Sequence, residues 1–391
     1  MPGSYQVPFN RPSFVGHELD YIRQAMERMH ISGDGPFTAR AHELLRQATG
    51  APHALLTTSC THALELAAIL LDLGPGDEVI VPSFTFTSTA NAFALRGATP
   101  VFVDVRRDTF NLDERLVEAA VTPRTRAIVP VHYAGVGCEM DALQAIADRH
   151  GLRIVEDNAH GLFGSWRGRR LGTFGCLATQ SFHETKNISC GEGGALLLND
   201  PRLLERAEIL REKGTDRSRF FRGEVDKYTW VDIGSSYLPS DLLAAVLCAQ
   251  LERREVVQAR RRQLWLGYAT ALRDWASDHR VRLPVVPPHC EQPFHLFSLL
   301  LPTPGARDAL IEHLRARAVN AVFHYQPLHL SAMGRRFGAR PGACPVAEDV
   351  AGRLLRLPLF FAMTPAQHEL VVTAVREFTV AATAAGSERA P

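Results

Sequence analysis

Lysine is almost absent from this chain. Among 43 basic residues, only Lys186, Lys213 and Lys227 are lysines. Arginine replaces lysine freely on a solvated surface, but it cannot shed its proton and attack a carbonyl. Each surviving lysine is therefore a candidate for chemistry, set against the plainer reading of a surface charge.

Other absences narrow the function further. There is no charge excess: 43 basic residues face 42 acidic ones. That excludes a general electrostatic pull toward nucleic acid or a membrane surface, although local basic loops can still hold the phosphates of a small ligand. Paired cysteines are lacking too. The seven cysteines are odd in number and none forms a C-x-x-C, so neither a disulfide framework nor a zinc site is expected. Long apolar runs are missing; the stretch Leu242 to Leu251 is too short for a bilayer. The opening MPGSYQVPFNRP has no basic segment leading into an apolar one, so a signal peptide is not expected and the protein reads as cytoplasmic. Repeats and low-complexity tracts are absent as well.

What is present is ordinary in bulk and specific in pattern. A chain of 391 residues, 46% hydrophobic and 22% charged, suits a soluble protein of two or three domains with room for a deep ligand site. Seven short apolar runs lie at His53–Ser59, Glu78–Ser83, Thr99–Val105, Arg126–Tyr133, Arg153–Ala159, Cys176–His183 and Gly194–Asn199. Amphipathic stretches such as Thr61–Leu73, Ser88–Arg96 and Met140–His150 separate most of them. The alternation predicts an α/β fold with a mostly parallel sheet covered on both faces. From about residue 256 the pattern changes. A helix is expected over Gln258–Ser277, a strand over Phe294–Leu301, a helix over Arg307–Arg317, a strand over Asn320–Tyr325, and then two closing helices. This predicts a smaller α+β domain. The tail Ala382–Pro391 is small and polar and is expected to fray.

In open α/β sheets, ligands gather at the carboxyl ends of strands. The first run ends in Ser59-Cys60-Thr61 and enters a helix, which makes either an anion site or a plain N-cap. The second ends in Ser83-Phe84-Thr85-Phe86; one phenylalanine can stack on a flat ring while the other joins the core. The fifth ends in Glu156-Asp157-Asn158-Ala159-His160. Two acids at the end of an apolar strand need partners. A carboxylate there could hold a protonated ring nitrogen or cap the next helix, and His160 could be a ligand contact or a structural histidine. The sixth leads into Ser181-Phe182-His183-Glu184-Thr185-Lys186-Asn187 and then Gly191-Glu192-Gly193-Gly194. Lys186 thus sits just past a strand end in a glycine-rich loop that lets the backbone approach a ligand.

Taken in order, these segments resemble the DegT/StrS-type nucleotide-sugar aminotransferases among the fold-type-I pyridoxal-phosphate (PLP) enzymes. The markers are SCTHALELA (59–67), VPSFTFTSTANA (81–92), PVFVDV (100–105), VHYAG (131–135), EDNAH (156–160), SFHETKN with GEGG (181–194) and FHYQPLH (323–329). SFHETKNISCGEGG and DKYTWVDIGSSYLPSD (226–241) are most similar to the branch that aminates C4 of dTDP-4-keto-6-deoxyglucose. The resemblance implies a large PLP-binding domain over residues 1–255, with an N-terminal arm and a seven-stranded mostly parallel sheet. A small domain would follow over residues 256–391.

It also implies roles. Lys186 would bond covalently to the cofactor and then shuttle a proton. Asp157 would pair with the ring nitrogen, Phe86 would stack on the ring, and His160 would lie near its phenolic oxygen. The amides of Cys60 and Thr61, with Ser181, would hold the phosphate. Most relatives carry Gly-Thr where this chain has Cys60-Thr61, and an Asn where it has Ser236. That Asn reaches the phosphate of the neighbouring subunit, so Ser236 implies a homodimer with shared sites. L-Glutamate would donate the amine, leaving pyridoxamine phosphate, and a nucleotide-linked keto sugar would receive it. In the basic loop Asp216–Tyr228, Arg222 and Lys227 are candidates for the nucleotide, against the alternative of a solvated loop. Tyr325 and His329 are candidates for the sugar pocket, against a structural turn at Pro327. Three rival functions stand beside this one: a C3 aminotransferase, a sugar 3-dehydrase and a non-catalytic scaffold. The dehydrase branch carries His where this chain has Lys186. Retention of Lys186 with Asp157 in so lysine-poor a chain argues against the scaffold.

Overall fold

The structure is a computed structural model that describes residues 5–380; the expectation for Ala382–Pro391 lies outside the described residues. Seven strands form the central sheet: β1 (His53–Thr57), β2 (Glu78–Pro82), β3 (Thr99–Val103), β4 (Thr125–Ile128), β5 (Arg153–Asp157), β6 (Leu177–Ser181) and β7 (Gly194–Leu198). Each falls within one of the seven apolar runs or overlaps it. Their spatial order is β1-β7-β6-β5-β4-β2-β3. All neighbouring pairs are parallel except those that β7 makes with β1 and β6.

Period-2 alternation decides which side chain faces which layer. Leu55, Val79, Val81, Val155 and Leu177 pack on one face with the helices α1 (Cys60–Leu70) and α2 (Thr87–Ala94). Ile80, Ile128 and Ile154 pack on the opposite face with α3 (Met140–His150). Leu56, Ala178 and Leu197 extend that second face beneath α4 (Asp241–Glu252). A sheet buried on both sides needs apolar residues at successive positions, which is why Val79–Val81 of β2 and Ala195–Leu198 of β7 read as continuous runs, whereas β6 is buried along its length with Thr179, Gln180 and Ser181 in it.

Beyond residue 254, α5 (Arg254–Ala271) leads into a second, antiparallel sheet. It is made of β8 (Phe297–Leu300), β9 (Val322–Phe323) and β10 (Leu354–Leu357), in the order β8-β10-β9. The expected helix over Gln258–Ser277 breaks at Leu272 and resumes over Arg273–Asp278. The expected strand over Asn320–Tyr325 shrinks to two residues, because Tyr325 turns the chain with φ 35°. Strand β10 has no counterpart among the sequence expectations; its run of leucines follows a helix without a turn residue and is too short for its period to speak. A separate core of Trp265, Tyr268, Phe297, Leu355 and Leu357 holds this region together. The N-terminal segment reaches across to it, with Val7 bridging to Val319.

Two neighbouring central strands, β2 and β4, send their connections to opposite sides of the sheet. Such a switch point opens a crevice at the strand carboxyl ends.

Candidate active site

The crevice is a cavity of about 990 Å³. Of the residues singled out in the sequence, it is lined by Cys60, Thr61, Phe86, Asp157, His160, Ser181, Lys186 and Tyr325.

One end is built around the start of α1. Ser59 caps the helix by accepting from the His62 amide at 3.1 Å. The first two amides, of Cys60 and Thr61, are left without a partner in the helix and face the cavity, where the helix dipole favours an anion. The start of β7 abuts this point. A Cβ on Gly194 would collide with the backbone of Ser59 and Cys60, so glycine is required for the strand to pass so close to the helix. Ser181 ends β6 beside it and pairs with Gly194 in register. Two amides, a hydroxyl and a glycine gap make a cradle for a phosphate. The Cys60 thiol donates to Thr179 Oγ1 at 3.5 Å, and burial, then the charge of Asp157, push it up to about 12. It stays a protonated thiol.

Asp157 and Glu156 separate by the same alternation that orders the sheet. Glu156 points with Ile154 to the α3 side and is fully buried. There it accepts from the amides of Gly172, Phe174 and Gly175 at 2.8, 2.6 and 2.8 Å and pairs with His132 at 2.9 Å. It is a buried clamp on the loop before β6. Asp157 points with Val155 to the α2 side. Its Oδ2 accepts from Thr89 Oγ1 at 2.7 Å, and its Oδ1 from the Ala159 amide at 3.2 Å. Thr89 in turn lies 2.8 Å from Thr85 Oγ1. A carboxylate fixed in this way at a cavity wall is suited to hold a protonated ring nitrogen.

Lys186 is half-buried among these groups, whereas Lys213 is paired with Glu212 at 2.8 Å and Lys227 is exposed. Of the three lysines, only Lys186 lines the cavity. Burial, assisted by the Arg356 charge, lowers its amine to about 8 against the pull of Asp157. An appreciable neutral fraction therefore exists near physiological pH, as an attacking amine requires. The loop is held by its own backbone: the Phe182 amide donates to Gly193, the Glu184 amide to Gly191, and the Cys190 amide to Phe182.

His160 accepts from the Ala134 amide at Nδ1, 3.3 Å. Its proton must then sit on Nε2, which lies 3.4 Å from the Tyr325 hydroxyl. Burial, with the charges of Lys186 and Arg356, holds the ring well below the usual histidine range, so it is neutral. The Ala134 amide is aimed by a turn in which Ala134 has φ 56° and Gly135 φ 83°. Phe84 is core, 1% exposed, whereas Phe86 is 59% exposed and lines the cavity.

One expectation is corrected, and three residues stand outside their own chain's cavity. His329 is fully buried, with Nδ1 against Ser83 Oγ at 2.5 Å and Nε2 against Glu348 at 2.9 Å. Both ring nitrogens are spent on packing, so it does not line the pocket. Arg222 is tied to Glu224 and Glu208, each at 2.7 Å, and neither it nor Lys227 reaches the cavity of its own chain. Ser236 is exposed and bridges to Glu212. It too stands outside its own chain's cavity.

Other cavity residues went unnoticed in the sequence. His295 lies 4.4 Å from His160 between ring centres and 2.9 Å from Asn187 Oδ1. His324 meets the Tyr133 hydroxyl at 2.8 Å. Arg356 is another, and Thr89, buried behind the wall, went unnoticed as the partner of Asp157. The FHYQPLH marker contains His324 but assigns it nothing. His295 sits just before β8 and Arg356 on β10, where alternation is readable only once the second sheet is known.

The arrangement offers a phosphate cradle, a fixed carboxylate and one neutral-capable amine around a flat slot. That donor set fits pyridoxal phosphate. The comparisons agree. Residues 13–376 match the sequence profile of the DegT/DnrJ/EryC1/StrS aminotransferase family. The chain is similar to DesV of S. venezuelae, with 35% identity, a TM-score of 0.85 and coverage of 96% of this chain and 98% of that one. It is similar to 3-amino-5-hydroxybenzoic acid synthase, with 31% identity, a TM-score of 0.83 and coverage of 95% and 99%. Spr1654 of Streptococcus pneumoniae, solved in PLP and PMP forms, shares 26% identity with a TM-score of 0.88 over 95% and 98%.

Proposed function

The chain belongs to the DegT/DnrJ/EryC1/StrS aminotransferase family and is a PLP-dependent sugar transaminase of fold type I; from that premise we propose that it moves an amino group from L-glutamate to C4 of a dTDP-4-keto-6-deoxyhexose. The product is a dTDP-4-amino-4,6-dideoxyhexose. The observation that carries the chemistry is Lys186, the one lysine of three that faces the cavity, set among Asp157 and the amides that open α1. The choice of C4 and dTDP rests on the likeness of residues 181–194 and 226–241 to one branch of the family. A cavity of about 990 Å³ is at the upper end of small-molecule sites and suits a substrate as long as a nucleotide-linked sugar.

When bound, pyridoxal phosphate supplies the electron sink that lets an amine be exchanged for a carbonyl. The amides of Cys60 and Thr61 and the Ser181 hydroxyl hold its phosphate. Asp157, oriented by Thr89, would keep the ring nitrogen protonated. Phe86 would lie against the ring, and neutral His160 would offer its Nε2–H to the phenolic oxygen. Lys186 would tether the cofactor, and its neutral amine would carry a proton to and from the reacting carbon of the substrate. The sugar arrives after the keto acid has left, so the kinetics are ping-pong.

The same reading includes a homodimer. Ser236 stands outside its own cavity, and in this reading it serves a second copy's phosphate, where its hydroxyl donates. Domains of 1–255 and 256–391, with α5 opening the second, belong to this reading.

The test is incubation of the protein with glutamate and a panel of nucleotide keto sugars, with products assigned by NMR. A C4 amine on the dTDP sugar is expected. Amination at C3, or of a UDP sugar only, assigns a different substrate, and no product from any keto sugar defeats the reading.

A further inference from the structure

Arg356 stands on β10 and lines the same cavity as Lys186. Among the described residues no carboxylate pairs with it. Its Nε is buried without a partner, one terminal nitrogen donates to the Phe323 carbonyl at 3.2 Å, and its guanidinium carbon lies 4.7 Å from the centre of the Phe9 ring. Arg222, by contrast, is satisfied by two acids. A guanidinium drawn out of water with no anion is costly unless a ligand supplies one. Its backbone position is fixed, since Arg356 is in register with both Ser298 and Val322.

We propose that Arg356 is the anchor for a carboxylate of the amino donor, gripping it through the planar fork while the donor amine meets the cofactor. The inference rests on the reading of L-glutamate as donor. Three features of the site favour this anion. The cofactor phosphate already has its own donors on the central-sheet side, at Cys60, Thr61 and Ser181, whereas Arg356 comes from the second sheet. A guanidinium presents paired donors that match a carboxylate. Arg356 also shares the cavity lining with Lys186, His160 and His295. An amino acid carries a carboxylate one bond from its amine-bearing carbon, whereas the diphosphate of a keto sugar stands across the ring from C4.

The test measures binding, without turnover. Glutarate, a dicarboxylate with no amine, and thymidine diphosphate are each titrated by calorimetry into PLP-loaded wild type, Arg356→Gln and Arg356→Lys. Loss of charged hydrogen bonds predicts about a ten- to hundredfold weaker glutarate affinity in Arg356→Gln, with thymidine diphosphate affinity unchanged. Arg356→Lys keeps the charge and the contact with Phe9 but loses the fork. It is expected to fall between, and it carries the test if the glutamine variant does not fold. Unchanged glutarate affinity in a folded variant overturns the proposal. So does a selective loss of thymidine diphosphate affinity, which would assign the guanidinium to the nucleotide. If no keto sugar is aminated yet the glutarate result holds, the sugar assignment fails and the donor anchor stands.

Discussion

Asp157 and Arg222 are both charged, and both lie in segments that the motifs single out, yet they are built in opposite ways. Asp157 is 5% exposed and held from two sides by Thr89 and the Ala159 amide. Arg222 sits on the surface, answered by acids of its own neighbourhood. The contrast extends to their surroundings. The strand-end crescent from Ser59 to Gly194 is hydrogen-bonded within the chain and pinned by the sheet. The stretch 216–236 leaves Phe221 69% and Trp230 76% exposed and contributes nothing to its own chain's cavity. Large exposed aromatics in one stretch mark a contact surface. The crescent is built within one copy, and in the proposed homodimer the stretch serves the other.

If that division is right, changes in the crescent strike the chemistry and changes in the stretch strike assembly. The largest effect belongs to Lys186. Lys186→Ala should remain folded, lose the visible absorbance band of the lysine-bound cofactor, and lose turnover by on the order of 10⁴-fold. Lys186→Arg should be as inactive, because arginine cannot present a neutral amine. Wild-type turnover in either variant breaks the central assignment.

Asp157→Asn comes next. The cofactor should stay bound, since its phosphate keeps its donors at Cys60, Thr61 and Ser181, but the proton-transfer step should slow by about 10²–10³-fold, typical of a lost preorganised charge. Stopped-flow decay of the glutamate complex reads that step. A change under about twofold would return Asp157 to a structural role.

The crescent also has a pH signature. The Lys186 amine is lowered to about 8 by burial, so its neutral fraction falls about tenfold for each pH unit below that value. Capture of pyridoxal phosphate by cofactor-free protein, followed by absorbance, should rise with pH and level off above about 8. A rise that continues to about pH 10, the range of an ordinary lysine, would mean that burial does not shift the amine.

Legibility followed the same division. The central strands are readable because short buried stretches stand out between amphipathic ones, although β4 carries Arg126 and β6 carries Gln180. Lys186 is readable because so few lysines compete with it. The side of the sheet that Asp157 takes follows from alternation, although its separation from Glu156 needs the helices to be placed first. His329 misleads because a histidine near a marker motif carries no sign of whether its two nitrogens are already taken by Ser83 and Glu348. Strand β10 and Arg356 escape because four residues after a helix are too few for a period, and a lone arginine among leucines reads as a surface stripe. What stays hidden in each case is a long-range partner.

Ser236 gives the smallest single effect and the sharpest test of the comparison. If its hydroxyl reaches a phosphate bound mainly by a second copy, Ser236→Ala removes one hydrogen bond to a charged group, about 1.5–3 kcal/mol at most. Cys60, Thr61 and Ser181 still hold the phosphate, so the measured loss of cofactor affinity should fall toward the lower figure. Ser236→Glu should do more, because a second negative charge then faces the phosphate. Mixing turns this into a clear answer. A Lys186→Ala homodimer lacks the amine at both sites, and a Ser236→Glu homodimer repels the phosphate at both. In a hybrid dimer, one site pairs the Lys186→Ala cradle with the carboxylate introduced by Ser236→Glu and carries both defects. The other pairs an intact cradle with an intact Ser236 and carries neither. Activity should therefore appear on mixing two inactive proteins and approach roughly half the wild-type value per hybrid, one sound site of the pair. Hybrids that stay inactive, while tagged wild-type subunits exchange under the same conditions, would show that Ser236 serves only its own chain. The stretch 216–236 would then be a local surface element that bridges to Glu212.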